Sequence, residues 1–311
     1  KAIRRQRQMC IRDSFQEDIY IGSGEQLIVW DKYGKFKRVL SKKGNDPQSY
    51  LHFNHFMIWP NGDLSIASPI EIVTYSNSHQ FINKKRCENV GYIEAITLLN
   101  DSLYIIKCMP TPEQLRYRII NHHTGAIINS YDSIINCNRY ISSFTNSFER
   151  YEGHIISHGY QSNDILECTL DSSKIRYKIN VDNRIPPAGF YTQEGKEGMQ
   201  LIQEEAEKGY IGHIPDYVES KETILLSFKG KREDLNGIAL IDKKDGNARV
   251  LENIKFDDNF RWLPKQFFSL DEGWCAMLMY PEDVLKKEEF ARRFPGLDEE
   301  SNPVLFIGKL R

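Results

Sequence analysis

The sequence predicts an all-β fold: a six-bladed β-propeller with two short helical insertions. Three observations lead there. Short β-rich runs follow one another, separated by Gly, Asn and Asp, which accept the positive φ of tight hairpins. Two kinds of turn alternate, and within each the recurrence is about 40 to 50 residues, the period of blades with four short strands. The chain has 311 residues and 36.3 kDa, enough for one large repeat domain.

The unit is clearest between Asp18 and Ala67. Asp18-Ile19-Tyr20-Ile21 stops at Gly22-Ser23-Gly24, and Gln26–Trp30 closes at Asp31-Lys32-Tyr33-Gly34. Lys35–Leu40 and a polar loop, 41–50, follow; Phe56–Trp59 then turns at Pro60-Asn61-Gly62 into Asp63–Ala67. The first blade is expected over about Met9–Leu40 and the second over Phe53–Ile82. The third holds runs at 95–99, 103–107, 115–121 and 126–129, and the fourth at 141–147, 154–159, 165–170 and 175–179. The fifth holds 217–219, 223–228, 237–242 and 248–251; the sixth holds 266–270, 274–280 and 303–310. The sixth lacks an evident fourth strand, so N-terminal residues are expected to supply it and close the ring. Residues 18–311 are read as a single propeller domain. Residues 1–17 are read as a non-native or disordered segment able to lend that closing strand, because Arg4–Ser14 is basic and aperiodic.

Two stretches break the pattern. In Gln193–Gly209, Met199, Ile202 and Ala206 recur at helical spacing. Pro281–Phe294 opens with proline and acidic residues, carries Arg292-Arg293 in its last turn and stops at Pro295-Gly296.

Composition bounds the function. A net charge of −2 gives no electrostatic case for nucleic acid. No apolar run approaches the roughly 20 residues that span a bilayer, and the first residues carry no apolar signal region. The six cysteines are scattered without a CxxC pair, which argues against a zinc or redox motif. There is no GxSxG, HExxH or GxxxxGK[ST]. Asp63, Asp101, Asp171 and Asp242 sit at turns where aspartate is at home, and no DxDxDG loop occurs. Glu204-Glu205 and Glu288-Glu289 read as solvated helix faces.

Three segments resemble a family. They are Ile19–Phe36, the loop Lys43-Gly44-Asn45-Asp46-Pro47-Gln48-Ser49-Tyr50, and Ser301–Leu310. Together, and in order, they are similar to bacterial six-bladed β-propeller proteins of the TolB-like or NHL-like kind, mostly predicted lipoproteins of gut-type Gram-negative bacteria with no assigned function. The loop departs from the family pattern at Asp46, Gln48 and Ser49, where glycine, glycine and glutamate are usual. The resemblance implies a periplasmic or cell-surface location.

Propellers concentrate binding residues on the face that carries their longer loops. On that face the sequence places His52, Asn54 and His55, then Arg139 and Tyr140, His158 and Tyr160, Arg232, and Arg261-Trp262. Together they form an Arg/His/aromatic mouth suited to an anionic or glycan-like ligand, or to a protein partner; taken singly, each reads as a solvated or carbonyl-capping side chain. His154 and His158 would share a face of one strand, but no carboxylate stands at ligand spacing, so packing is the simpler reading. The expectation is a non-catalytic binding module with no catalytic residue, metal or cofactor. The alternative is a metal-dependent hydrolase or lactonase, with calcium on the propeller axis.

Overall fold

A computed structural model describes residues 9–15, 18–23, 26–31, 35–40, 42–87, 89–109, 115–133, 148–158, 163–181, 184–187, 189–193, 195–196, 198–255, 261–264, 267–270, 273–286, 288–299, 301 and 304–310. Six antiparallel sheets of three or more strands succeed one another along the chain, with a two-stranded pair, Ile254–Lys255 and Arg261–Trp262, between the fifth and the sixth. Blade one pairs Met9–Phe15, Asp18–Ser23, Gln26–Asp31 and Phe36–Leu40 in that order. Blade two pairs His55–Ile58, Leu64–Ser68, Glu71–Tyr75 and Phe81–Arg86; blade three pairs Ile93–Asn100, Leu103–Cys108, Leu115–Asn121 and Ile127–Ser133. Blade four is Phe148–Tyr151, His154–Ser157, Asp164–Cys168 and Ser173–Lys178. Blade five is Tyr217–Glu219, Thr223–Gly230, Gly237–Asp242 and Ala248–Val250, with Ile211–His213 added beyond the first strand. Blade six is Phe267–Ser269, Trp274–Met279 and Val304–Lys309.

The first strand of every blade touches the first strands of both neighbours, so six strands ring the axis. Each blade buries both faces. Successive side chains of a strand point to opposite faces, so neighbouring residues enter different seams. Ile105 packs toward blade four and Ile106 toward blade two. Leu225 packs toward blade six and Leu226 toward blade four. Phe267 lies in the seam between blades five and six, whereas Phe268 meets Ile19, Ile21 and Ala276 between blades six and one. Strands buried on both sides lose polar alternation, as in Leu64–Ser68 and Glu71–Tyr75, buried at every position.

Several expectations need correction. Met9–Phe15 is the innermost strand of blade one, hydrogen-bonded to Asp18–Ser23, and does not complete blade six. Blade six has three strands among the described residues, and the ring closes by side-chain packing. The first strand of blade four is Phe148–Tyr151, because the turn at Glu152-Gly153 puts Tyr151 opposite His154; the run expected at 141–147 lies outside the described residues. The first insertion forms α1, Gly198–Lys208, but it buries Leu201 and Glu205 and leaves Met199 73% exposed. The second forms two helices, α2 (Pro281–Leu285) and α3 (Glu288–Arg293), instead of one. Val284 anchors α2 in the core between blades five and six.

The glycine loop has its own closure. Lys43 and Tyr50 form a bridge, and the Asp46 carboxylate accepts the Gln48 amide at 2.8 Å and the Ser49 hydroxyl. Tyr75 donates to the Gln48 carbonyl at 2.8 Å and Lys84 to the Ser49 carbonyl at 2.6 Å. Two residues that depart from the family pattern, Asp46 and Ser49, thus brace the loop, and blade two holds it.

Closure by packing carries a testable cost. Phe268→Ala removes a ring 1% exposed at the seam between the last and first blades. It should lower unfolding free energy by about 3–5 kcal/mol. Val250→Ala on an exposed outer strand should change it by less than about 0.5 kcal/mol. Denaturant titration of both variants checks this; equal effects would argue against a packed closing seam.

Candidate functional site

The long connections leave one end of the ring, and there the structure gathers ionisable side chains from three adjacent blades. Each is put there by strand register. Lys107 is near the end of the second strand of blade three, and Glu94 is near the start of its first. Their charges stand 4.0 Å apart, with both side chains about nine-tenths buried. Lys107 also donates to the His158 carbonyl at 2.8 Å, which ties blade three to blade four.

His158 follows the second strand of blade four, and its side chain is fully buried. Its Nδ1 lies 2.9 Å from the Ile214 carbonyl. A carbonyl only accepts, so Nδ1 carries the proton. Nε2 then faces the Glu149 carboxylate at 3.8 Å, an ion pair when the ring is doubly protonated. The ring stacks at 5.8 Å on Tyr217 of blade five. Asn163, at the same end of blade four, is 7% exposed, and neither amide atom has a hydrogen-bond partner among the described residues.

Blade five supplies the third side. Every residue from Ile211 to Ser220 is buried. Asp216 accepts the Ser227 hydroxyl at 2.6 Å, and its amide donates back to Ser227 Oγ at 3.1 Å. Burial pushes the Asp216 carboxyl up to about 6; the Ser227 hydrogen bond and the charges of Lys229 and His158 oppose this, and Glu149 reinforces it. His213 is driven well below the usual imidazole range, first by burial and then by the positive charges of Lys229, His158, Lys231 and Lys107. α1 adds Glu205, 1% exposed, beside the Tyr191 hydroxyl and against Gly212. Burial raises its carboxyl, opposed by Lys231 and Tyr191. A Cβ at position 212 would collide with the Tyr191 hydroxyl, so glycine is required there.

A second polar network lies in the seam between blades four and five, at the end carrying the short turns. Glu219 accepts Arg176 through two nitrogens at 3.0 and 2.9 Å, Tyr217 at 2.7 Å, Tyr177 at 3.0 Å and Lys243 at 2.7 Å. Burial alone would raise the Glu219 carboxyl, but these donors hold it below its usual range. Arg176 continues to Glu167 at 3.0 Å. Glu219 is fully enclosed by protein donors, so this network is a clamp between blades and leaves no acceptor for a ligand.

The residues expected at the mouth separate accordingly. His158 is at the centre of the cluster. Asn54 donates its side-chain amide to the Ile93 carbonyl at 2.7 Å and so positions the first strand of blade three. His52 is exposed, and only its backbone is fixed, by Ser68. Arg232 pairs with Asp234 in its own loop. Arg261 is exposed opposite Lys255. Trp262 is corrected to a core residue, 6% exposed and 5.6 Å from the Phe306 ring. Arg139, Tyr140 and Tyr160 lie outside the described residues. His154 and His158 do not act together: His154 is exposed and pairs with Glu167 at 3.1 Å. Glu205 is corrected from a solvated face to a buried acid, while Glu204 does stay at the surface with Lys196 and Lys208.

Comparison with protein families matches residues 13–309 to a domain of unknown function, DUF4934. The chain belongs to the DUF4934 family. Among solved structures, this DUF4934 chain is similar to a Bacteroides fragilis protein described as a "Putative exported protein", with a TM-score of 0.76 at 12% identity over 97% of this chain and 90% of that one. It is also similar to a member of the DUF4221 family from Bacteroides vulgatus, with a TM-score of 0.57 at 9% identity over 98% and 93% of the two chains. A protein of unknown function from Bacteroides caccae matches with a TM-score of 0.52 at 12% identity, over 82% and 85%. At such identities the likeness is one of fold. Comparison with curated proteins finds no match.

Both networks in this DUF4934 chain make predictions. Glu219→Ala removes the shared acceptor of Tyr177, Tyr217 and Lys243 and leaves Arg176 with Glu167 alone; it should cost about 1–3 kcal/mol in denaturant titration, and a cost below about 0.5 kcal/mol would contradict the clamp. The Asp216 carboxyl is raised in the folded state, so its contribution to stability is full below about pH 4 and is lost as pH rises through about 6. That span corresponds to roughly 3 kcal/mol. Asp216→Asn should therefore flatten the stability profile between pH 4 and 7 relative to wild type. Parallel profiles would show that Ser227, Lys229, His158 and Glu149 do not create the environment described.

Proposed function

We propose that this chain is a non-catalytic, ligand-binding propeller of the bacterial cell envelope, holding a small polar molecule at the end of the ring above blades three to five. The observation that carries this reading is the burial together of Glu94, Lys107, Glu149, His158, His213 and Asp216 from three blades. The apolar seams already hold these blades, so the ring does not need the charges. Ionisable groups are costly to bury without a task. Two buried amide atoms on Asn163 await partners at the same end. The envelope setting is supported by the exported description of the Bacteroides fragilis neighbour and by the lipoprotein-type resemblance of the opening, glycine-loop and closing segments.

The alternative, a metal-dependent hydrolase, needs at least three converging oxygen or nitrogen ligands. Among the described residues no group of three His, Cys, Asp or Glu is placed to hold an ion. The test is a thermal-shift panel of neutral and acidic sugars, amino acids and calcium, run on wild type and Glu149→Gln. A sugar or amino acid should raise the wild-type Tm, and Glu149→Gln should blunt the rise. Stabilisation by calcium alone, accompanied by lactone hydrolysis, would replace this reading with the enzymatic one.

A further inference from the structure

His213 and Lys229 stand opposite each other on neighbouring strands, so their side chains share one face. Ser227 lies two residues before Lys229 on the same strand and therefore on the same face, where its hydroxyl holds Asp216. Four side chains from blade five and its added strand thus make one polar surface. It adjoins His158, whose ring is fixed to the Ile214 carbonyl next to His213.

Charge on this surface is unevenly answered. Glu94 has Lys107, Glu149 has His158, and Asp216 has the Ser227 hydroxyl. Lys231 stands at the exposed rim and Arg232 is neutralised by Asp234. Lys229 is half-buried, and among the described residues its ammonium forms no ion pair or hydrogen bond. It bears electrostatically on both His213 and Asp216. A half-buried cation with no ion pair is favoured by an anion that joins it.

We propose that this surface is an oxyanion subsite: the carboxylate or phosphate of a small organic ligand binds between Lys229 and His213, with the rest of the ligand directed toward His158 and Asn163. The subsite rests on the ligand-binding reading above and adds the class of ligand to it. Lys229 supplies the charge. His213 supplies a neutral imidazole that can donate from one ring nitrogen without a second cationic centre. Lys229, Lys231 and Lys107 all bear electrostatically on the same imidazole. Asp216, hydrogen-bonded by Ser227, is left to accept a hydroxyl or ammonium group of the same ligand. The two charged ends would make the site selective for molecules that carry an acid and a hydrogen-bond donor close together.

The probes are sodium glucuronate, sodium phosphate and glucose, titrated calorimetrically at matched ionic strength into wild type, Lys229→Met and Lys229→Arg. Glucuronate, phosphate or both should bind wild type, and which one binds separates a sugar acid from a phosphorylated ligand. Lys229→Met should weaken binding about 10- to 100-fold, while Lys229→Arg retains most of it. The melting temperature of Lys229→Met without probe verifies its fold; if that variant is unfolded, the comparison of wild type with Lys229→Arg and His213→Gln decides. Glucose binding with no response to either anion would overturn the oxyanion subsite and leave the binding module standing. Anion binding that Lys229→Met leaves unchanged would also overturn it. Silence toward all three probes would also overturn the subsite.

Discussion

Everything in this fold depends on a requirement of two-sided burial. A blade with apolar side chains on both faces cannot stop at an open end; each face needs another blade. Six seams satisfy that need, and the sixth joins residues about 250 positions apart in sequence, Phe268 and Ala276 against Ile19 and Ile21. Among the described residues no strand crosses that seam. The last blade keeps three strands among the described residues, and the ring is closed by side chains instead of a shared ladder. The same requirement explains the steady burial of Tyr, Phe and Ile at inward positions. Wedge-shaped gaps between radiating sheets widen outward, and large aromatic side chains such as Tyr75, Tyr104, Tyr117 and Tyr217 fill them.

The seam between blades four and five departs from the apolar rule at both ends, in two different ways. At the short-turn end, Glu219 is surrounded by donors from Arg176, Tyr177, Tyr217 and Lys243, and the charge is answered within the protein. Lys243 and Arg176 also lie over the Tyr151 ring, at 4.6 and 6.0 Å, which extends the clamp onto an aromatic face. At the long-loop end the groups are incompletely answered: buried Asn163 lacks amide partners, and the half-buried Lys229 makes no ion pair among the described residues. Buried polar groups that are fully satisfied fix a structure; those left open are the ones the proposed ligand would answer. The contrast within a single seam separates the two roles better than burial alone, since Glu219 and Asp216 are equally inaccessible at 3% exposure.

The architecture was legible in the sequence because turn chemistry is local. Asn61-Gly62, Glu152-Gly153 and Gly246 mark hairpins through backbone conformations few residues accept, and Gly62, Gly153 and Gly246 all have positive φ. The functional end was less legible because it depends on which face a residue turns after the fold closes. His158 could be named, but its partners Glu149, Lys107 and Ile214 come from three different blades and have no common spacing in the chain. Glu204 and Glu205 look alike in sequence, yet a 100° step round α1 sends one to Lys208 at the surface and the other under the helix against Gly212. Trp262 followed an arginine in a loop and so resembled a mouth residue; its indole instead fills the seam between blades five and six. One signal did exist: the short run Ile211–Ser220, which the fold buries throughout, carries His213 and Asp216 of the site as well as Glu219 of the clamp.

The position of the candidate site follows from the insertion between blades four and five. Adding Ile211–His213 beyond the first strand of blade five extends the pairing surface of the long second strand, Thr223–Gly230, past the end of the regular blade. That extension carries Lys229 clear of the apolar seam, where a charged side chain can be kept, and sets His213 across from it. α1 and its neighbour Tyr191 cover the added strand, and the close approach at Gly212 and Gly230 leaves little freedom for it to shift. A regular blade would end near Phe228 and present only loop backbone. The insertion therefore turns an ordinary blade edge into a rigid polar surface, and rigid placement of a few groups is what recognition of a small ligand requires.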